Sequence, residues 1–274
     1  MESEQPPSPK KRSAAARPAD LSARLRSAPA AEVEALIAEQ GDGFGLADLR
    51  AVVRNPYARG ETLEALAARK SLMAVYEARA LVARHRRTPQ VLAMRFVGGL
   101  FWHDLLEIAL DVRLSGPLRR LAEKYLLQRL PRLAVGERMT LARRAPEETL
   151  ERLCADASLR VAEAALENPR LTEERLLPFL ASAKATPRRL QLVARHPRWS
   201  CCYGVRLALC RNPLSPLADA LGQLPFLRRA DLEALAADQD VPALVRFGAT
   251  EQLAAKAEGI ESAQQLFDLE TPGG

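Results

Sequence analysis

Apolar positions along this chain recur at helical spacing. Leu118, Leu121, Ala122, Tyr125 and Leu126 fall at i, i+3, i+4, i+7 and i+8, a stripe that one face of an α-helix buries. Leu232, Leu235 and Ala236 repeat the pattern, and Val33, Leu36 and Ile37 mark the buried face of a first helix over 30–39. Runs of β-branched residues are absent, so the pattern predicts helices and no sheet. Further helices are expected near 46–54, 61–69, 72–84, 88–97, 101–110, 117–130, 136–144, 147–154, 158–167, 172–181, 187–195, 199–211, 216–223, 230–237 and 241–249, with one or two short helices over 250–267. The short linkers between them suit antiparallel neighbours. Gly41-Asp42-Gly43-Phe44-Gly45 reads as a turn; it lacks the alternating acidic ligands of a calcium loop.

Short phrases punctuate these helices. Aliphatic–Arg–Asn/His–Pro recurs at Val53-Arg54-Asn55-Pro56, Ala194-Arg195-His196-Pro197 and Cys210-Arg211-Asn212-Pro213, with a looser copy at Leu166-Glu167-Asn168-Pro169. Proline drives the residue before it out of the α region, so each phrase marks a helix end. Asn tolerates the left-handed cap, and Arg complements the negative end of the dipole. Thr88-Pro89, Thr186-Pro187 and Ser215-Pro216 predict the opposite: a hydroxyl cap followed by proline in the first turn. The steps from Asn55 to His85 and from Asn168 to His196 are similar, and that from Arg144 to Asn168 is somewhat shorter. A unit of about 24–30 residues fits a helix–turn–helix too small to bury its own face, so neighbours must supply the core.

Composition agrees with an all-helical chain. Apolar residues make up 48% and are dominated by Leu and Ala, both strong helix formers. No apolar window reaches the length of a membrane span, and the N-terminus has no apolar signal core. Residues 1–20, with the run Pro9-Lys10-Lys11-Arg12, are expected to be a disordered basic tail, with an import or nucleic-acid arm as the alternative; 268–274 are expected to be loose. One folded domain is expected over 30–267. Of the net charge of +6, the tail carries +1. The 34 arginines against 6 lysines match what a GC-rich genome produces without functional meaning. Four cysteines, Cys154, Cys201, Cys202 and Cys210, form no disulfide framework, and reduced thiols in the cytoplasm are expected.

Together, Arg54-Asn55-Pro56, Asn168-Pro169, Arg211-Asn212-Pro213, the Thr/Ser-Pro starts and pairs such as Val82-Ala83 resemble HEAT-like α-solenoids, and among them the leucine-rich repeat variant type, over about residues 46–250. The resemblance implies an all-α, right-handed solenoid of about six to eight short helical hairpins that presents a curved surface to protein partners. Some members of that type carry an iron–sulfur module near the N-terminus. Residues 1–50 contain no cysteine, so that cofactor is not carried over, and no cofactor is expected.

Catalytic patterns are scarce. No His-Glu-x-x-His, phosphate loop or Gly-x-Ser-x-Gly occurs, and no catalytic or metal residue is assigned. His85 and His196 share one slot of the repeat phrase, which points to capping. A zinc site at His196, Cys201 and Cys202 is weighed and set aside, because adjacent cysteines on a helix diverge by about 100°. The resemblance also reaches DNA glycosylases, for which Trp102, Asp104 and Trp199 are the available residues; core packing is the competing reading of Trp102. The candidate surface is arginine-based. Arg119-Arg120 and Arg188-Arg189 sit just inside helices that begin with proline, and repeated placement builds a ridge suited to carboxylates and phosphates. With Arg195, Arg198 and Trp199 they form the expected partner-binding set. The competing reading is a solvated face balanced by acids such as Glu123, Glu147 and Glu148. A non-catalytic scaffold for a protein partner is the leading function; nucleic-acid binding with base repair is the alternative, and a structural spacer a third.

Overall fold

The computed structural model describes residues 19–182 and 184–270. These residues form eighteen α-helices and no strand. In chain order they are α1 (Ala19–Ser27), α2 (Ala30–Gln40), α3 (Leu46–Val53), α4 (Gly60–Ala67), α5 (Lys70–Met73), α6 (Tyr76–Arg84), α7 (Gln90–Val97), α8 (Trp102–Leu110), α9 (Gly116–Arg129), α10 (Val135–Ala142), α11 (Glu147–Cys154), α12 (Leu159–Leu166), α13 (Glu173–Leu180), α14 (Pro187–Arg195), α15 (Tyr203–Arg211), α16 (Leu217–Leu221), α17 (Arg229–Ala237) and α18 (Ala243–Glu270). The chain divides into two compact units, Met1–Ala122 and Glu123–Gly274.

Within each unit, helices pack on their second or third neighbours along the chain. In unit 1, α1 packs on α3, α3 on α6, and α6 on α8. In unit 2, α11, α13, α15 and α17 form one such row, and α10, α12 and α14 another. The reason is burial: an eight-residue helix has too few apolar side chains to be stable alone. Leu49 and Val52 of α3 are fully buried against Leu25 of α1 and Val82 of α6. In unit 2, Cys210, Leu232, Leu235 and Val245 fill the corresponding core.

Four expectations need correction. Helix α1 lies in a stretch expected to begin inside the tail; only Leu21 and Leu25 give it an apolar face, and packing on α3 supplies the rest. The expected helix over 72–84 is two helices, α5 and α6, and the one over 199–211 begins only at Tyr203. The expected break after residue 249 is absent, because α18 runs on to Glu270. The tail expectations over 1–18 and 271–274 lie outside the described residues.

Candidate binding surface

The repeat phrase works differently from a simple helix cap. No non-glycine residue has positive φ among the described residues, so Asn is not used as a left-handed cap. Its side chain instead joins two helices. Buried Asn168 donates from Nδ2 to the carbonyls of Ala142 at 2.7 Å and Ala145 at 3.2 Å, at the end of α10. Its Oδ1 accepts the N–H of Arg170 at 2.8 Å. Asn55 does the same for Leu25 and Ala28 at the end of α1, and for Tyr57 N–H. Asn212 donates to Leu180 O at the end of α13 and accepts from Leu214 N–H. Each amide therefore satisfies carbonyls that a helix C-terminus leaves without partners.

Histidine fills that slot by dividing the work. Nδ1 of His85 and of His196 accepts the N–H two residues on, at 3.2 Å in both. His85 also keeps a hydrogen bond to the Val53 backbone at the end of α3, and the arginine two residues on adds a second donor at both slots. Arg87 reaches Ala58 O at 2.6 Å, and Arg198 reaches Asn168 O and Leu171 O. Burial first, then the charges of Arg87 and Arg86, hold the His85 pKa below its ordinary value. The His196 pKa is also lowered, chiefly by burial. The Thr-Pro starts depart from expectation too. Thr88 donates backwards to Val82 O at 2.6 Å, and Thr186 makes no side-chain cap.

A second device occurs twice. The Tyr76 hydroxyl donates to Asp104 and accepts the Phe101 N–H at 2.8 Å. The Tyr203 hydroxyl donates to Asp231 and accepts the Arg228 N–H at 3.0 Å. Each bridge ties a helix start to the start of the next helix in its row. The offset that carries Tyr76 onto Tyr203 also carries α3, α6 and α8 onto α13, α15 and α17, end to end and without a gap. Arg79 and Arg206, Arg84 and Arg211, and Asp111 and Asp238 fall on equivalent positions. The sequence held this signal, but the much shorter spacing of the phrases masked the longer period.

The expected partner-binding residues scatter by role. Trp199 is a core residue, 1% exposed, and its indole N–H donates to Leu166 O at 2.9 Å. It sits in the turn between α14 and α15, with the Arg198 guanidinium 4.2 Å over its ring, so it is no surface anchor. Arg198 is likewise held by loop carbonyls. Arg189 donates to Lys184 O and Asp156 O, which makes it a loop staple. Arg195 is exposed and pairs with Asp219 at 3.3 Å. Arg120 and Arg188 are exposed, and Arg119 is half-buried. Of the residues weighed for base repair, Trp102 is half-buried at the start of α8, edge-on to His103. Asp104 is buried and bonded to Tyr76, Arg84 and His103. Among the described residues no cluster of His, Cys, Asp and Glu could hold a metal ion, so His196, Cys201 and Cys202 do not converge on one.

One edge of unit 1 stands out instead. A groove of about 590 Å³ opens between the ends of α6 and α8. Val53, Leu81, Ile108, Leu110 and Leu114 give it an apolar floor, and Arg84, Arg86, Arg113, Glu107 and Asp111 line its rim. Arg113 is held by Asp111, whose carboxyl it keeps below the ordinary range. Arg84 is held by Asp104 at 2.9 Å. Arg86, and Arg54 and Arg59 in the neighbouring loop, are exposed and enter no side-chain hydrogen bond or ion pair among the described residues. The Arg86-Arg87 doublet was the sequence signal for this edge; Arg87 faces the fold and Arg86 faces out. No protein-family model matches this chain, and no curated protein or solved structure matches it.

Proposed function

We propose that this chain is a non-catalytic scaffold, a right-handed HEAT-like solenoid of the leucine-rich repeat variant type, that binds a protein partner on its helical surface. The packing of α10 on α12 on α14, and of α11 through α17 in a parallel row, supports the solenoid. So does the inter-helix bond that Asn55 makes in unit 1 and Asn168 and Asn212 each make in unit 2. One observation carries the functional reading. Polar groups suited to acid–base chemistry, Asp104 among them, are spent on joining helices, whereas cations at a loop edge enter no side-chain hydrogen bond or ion pair among the described residues. Asp104 binds Tyr76 and Arg84, and burial pushes the Cys154 and Cys210 thiols up to about 12, far from the thiolate that nucleophilic chemistry needs. Arg54, Arg59 and Arg86 face solvent.

Affinity purification of the tagged chain from its native cells, with and without nuclease, tests this reading. A discrete protein that stays bound after digestion is expected. Nucleic acid that co-elutes, with all proteins lost on digestion, would overturn it in favour of nucleic-acid binding through the same cations.

A further inference from the structure

The two copies of the internal repeat keep the residues that hold the fold and differ in the loops between rows. Tyr76, Arg79, Asp104 and Asp111 recur as Tyr203, Arg206, Asp231 and Asp238. Arg54, Arg59, Arg86, Arg87 and Arg113 do not. At the matching positions of the second copy stand Ala181, Thr186, Pro213, Leu214 and Asp240. All five arginines therefore belong to one copy. Residues 1–122 hold 19 Lys and Arg against 14 Asp and Glu, a net +5, whereas 123–274 hold 21 against 20, a net +1.

Helix dipoles do not account for this. Cations near helix C-termini gain from the dipole, and Arg54 and Arg86 lie at the ends of α3 and α6. The matching helices α13 and α15 end at the equivalent positions with Ala181 and Pro213 there. Fold closure accounts only for Arg87, whose guanidinium is taken by Ala58 O, and Arg113, which is paired with Asp111. Arg54, Arg59 and Arg86 enter no side-chain hydrogen bond or ion pair among the described residues.

We infer that this edge of unit 1 binds an acidic segment of a partner protein, with an apolar side chain of that segment seated between the half-buried Val53, Leu81 and Leu110 and its carboxylates on Arg86 and Arg54. The groove volume lies in the range of ligand-holding clefts and suits one or two apolar side chains. Arg86 lines the groove beside its apolar floor, and exposed Arg54 directly follows Val53 of that floor in the chain. Arginine is the cation best matched to a carboxylate, because its planar fork bonds both oxygens. The same groove suits nucleic acid poorly. Its lining offers no Phe, Tyr or Trp ring for base stacking, the His85 imidazole is half-buried with Nδ1 taken by the Arg87 N–H, and its apolar floor suits a peptide side chain. This inference specifies the partner of the scaffold proposed above and rests on that reading.

Fluorescence anisotropy tests it with three labelled probes: a short peptide of glutamates around a leucine–phenylalanine pair, the same peptide with glutamine for glutamate, and a single-stranded oligonucleotide. The glutamate peptide is expected to bind the full chain, and the glutamine peptide to bind at least about tenfold more weakly. Arg86→Glu and Arg54→Glu should each weaken the glutamate peptide about tenfold. Arg211→Glu, an exposed arginine of unit 2, should leave binding unchanged. Both groove variants change exposed side chains that enter no side-chain hydrogen bond or ion pair among the described residues, so their thermal melts should stay cooperative and fall only by the small helix-dipole cost of an anion at a C-terminus. Absence of glutamate-peptide binding, equal binding of the two peptides, or full affinity in Arg86→Glu overturns the inference. Oligonucleotide binding that is lost in Arg86→Glu, with no peptide binding, replaces the peptide with nucleic acid. If the peptides fail while the tagged chain still retains a nuclease-resistant protein, this surface is wrong and the scaffold reading stands.

Discussion

Asn168 joins two helices with one amide, and its burial sets what the joint is worth. Truncation to alanine leaves the carbonyls of Ala142 and Ala145 and the N–H of Arg170 without partners in a dry site. Asn168→Ala should therefore lower stability by about 1–3 kcal/mol, read as a drop in denaturant midpoint at unchanged slope. An unchanged midpoint would mean that water replaces the amide. At the histidine slots the same joint titrates. The folded pKa values of His85 and His196 lie below the ordinary 6.5, so the unfolded chain takes up protons first as pH falls. Their contribution is fully present above 6.5 and is lost as pH falls from there toward the folded values. Replacing both with Asn, the residue used elsewhere in the slot, should flatten stability between about pH 7 and pH 5. An identical pH profile in the double variant would contradict that role. Residue identity at these slots was legible in the sequence, but residue function was not. A cap and an inter-helix bridge both favour Asn before Pro, and only the distant partner carbonyls, such as Leu25 O for Asn55 and Ala145 O for Asn168, distinguish them.

Elements in this chain are short, and what fixes each one lies on its neighbour. Helix α18 approaches the segment around α16 so closely that a Cβ at Gly248 would fall 2.8 Å from Leu221 Cδ2 and 2.9 Å from Leu224 Cδ1. Gly248→Ala should cost about 1 kcal/mol by overpacking, whereas Gly136→Ala on exposed α10, with open space around it, should be neutral or stabilising by a few tenths. Thermal melts of the two variants separate the cases, and a stable Gly248→Ala would refute the close approach. The tyrosine bridges differ in burial. Asp104 is 4% exposed and Asp231 is half-buried. Tyr76→Phe should thus destabilise more than Tyr203→Phe, by about 1–3 kcal/mol against under about 1 kcal/mol. Equal losses would mean that the bridge acts through the tyrosine ring alone. Most helices were visible from apolar spacing because each buries a regular stripe. Helix α1 was not, since two leucines make a stripe too short to separate from a charged tail. The division of 72–84 into α5 and α6 leaves no Gly or Pro to mark it, only the extended backbone of Val75.

At the scale of the whole chain, a long internal period underlies the short one. One offset aligns Tyr76 with Tyr203 and Asp104 with Asp231, positions too far apart for phrase spacing to reveal. That alignment sorts the arginines present in one copy: Arg87, Arg113, Arg189 and Arg198 are held by the fold, whereas Arg54, Arg59 and Arg86 are exposed and enter no side-chain hydrogen bond or ion pair among the described residues. Of the arginines expected to form a ridge, Arg120 and Arg188 are exposed, Arg119 is half-buried and Arg189 is taken by carbonyls. Pairing in sequence says nothing about whether a guanidinium points to a carbonyl, as in Arg189, or to water, as in Arg188. Among the described residues no helix is long and apolar enough to cross a membrane. The decisive measurement is quantitative mass spectrometry of proteins retained, after nuclease, by the parent chain, by the Arg54→Glu/Arg59→Glu/Arg86→Glu variant and by Arg211→Glu. A discrete protein retained by the parent and by Arg211→Glu, and lost from the triple variant while that variant still melts cooperatively within a few degrees of the parent, is the predicted result. The same protein retained equally by all three chains would contradict it.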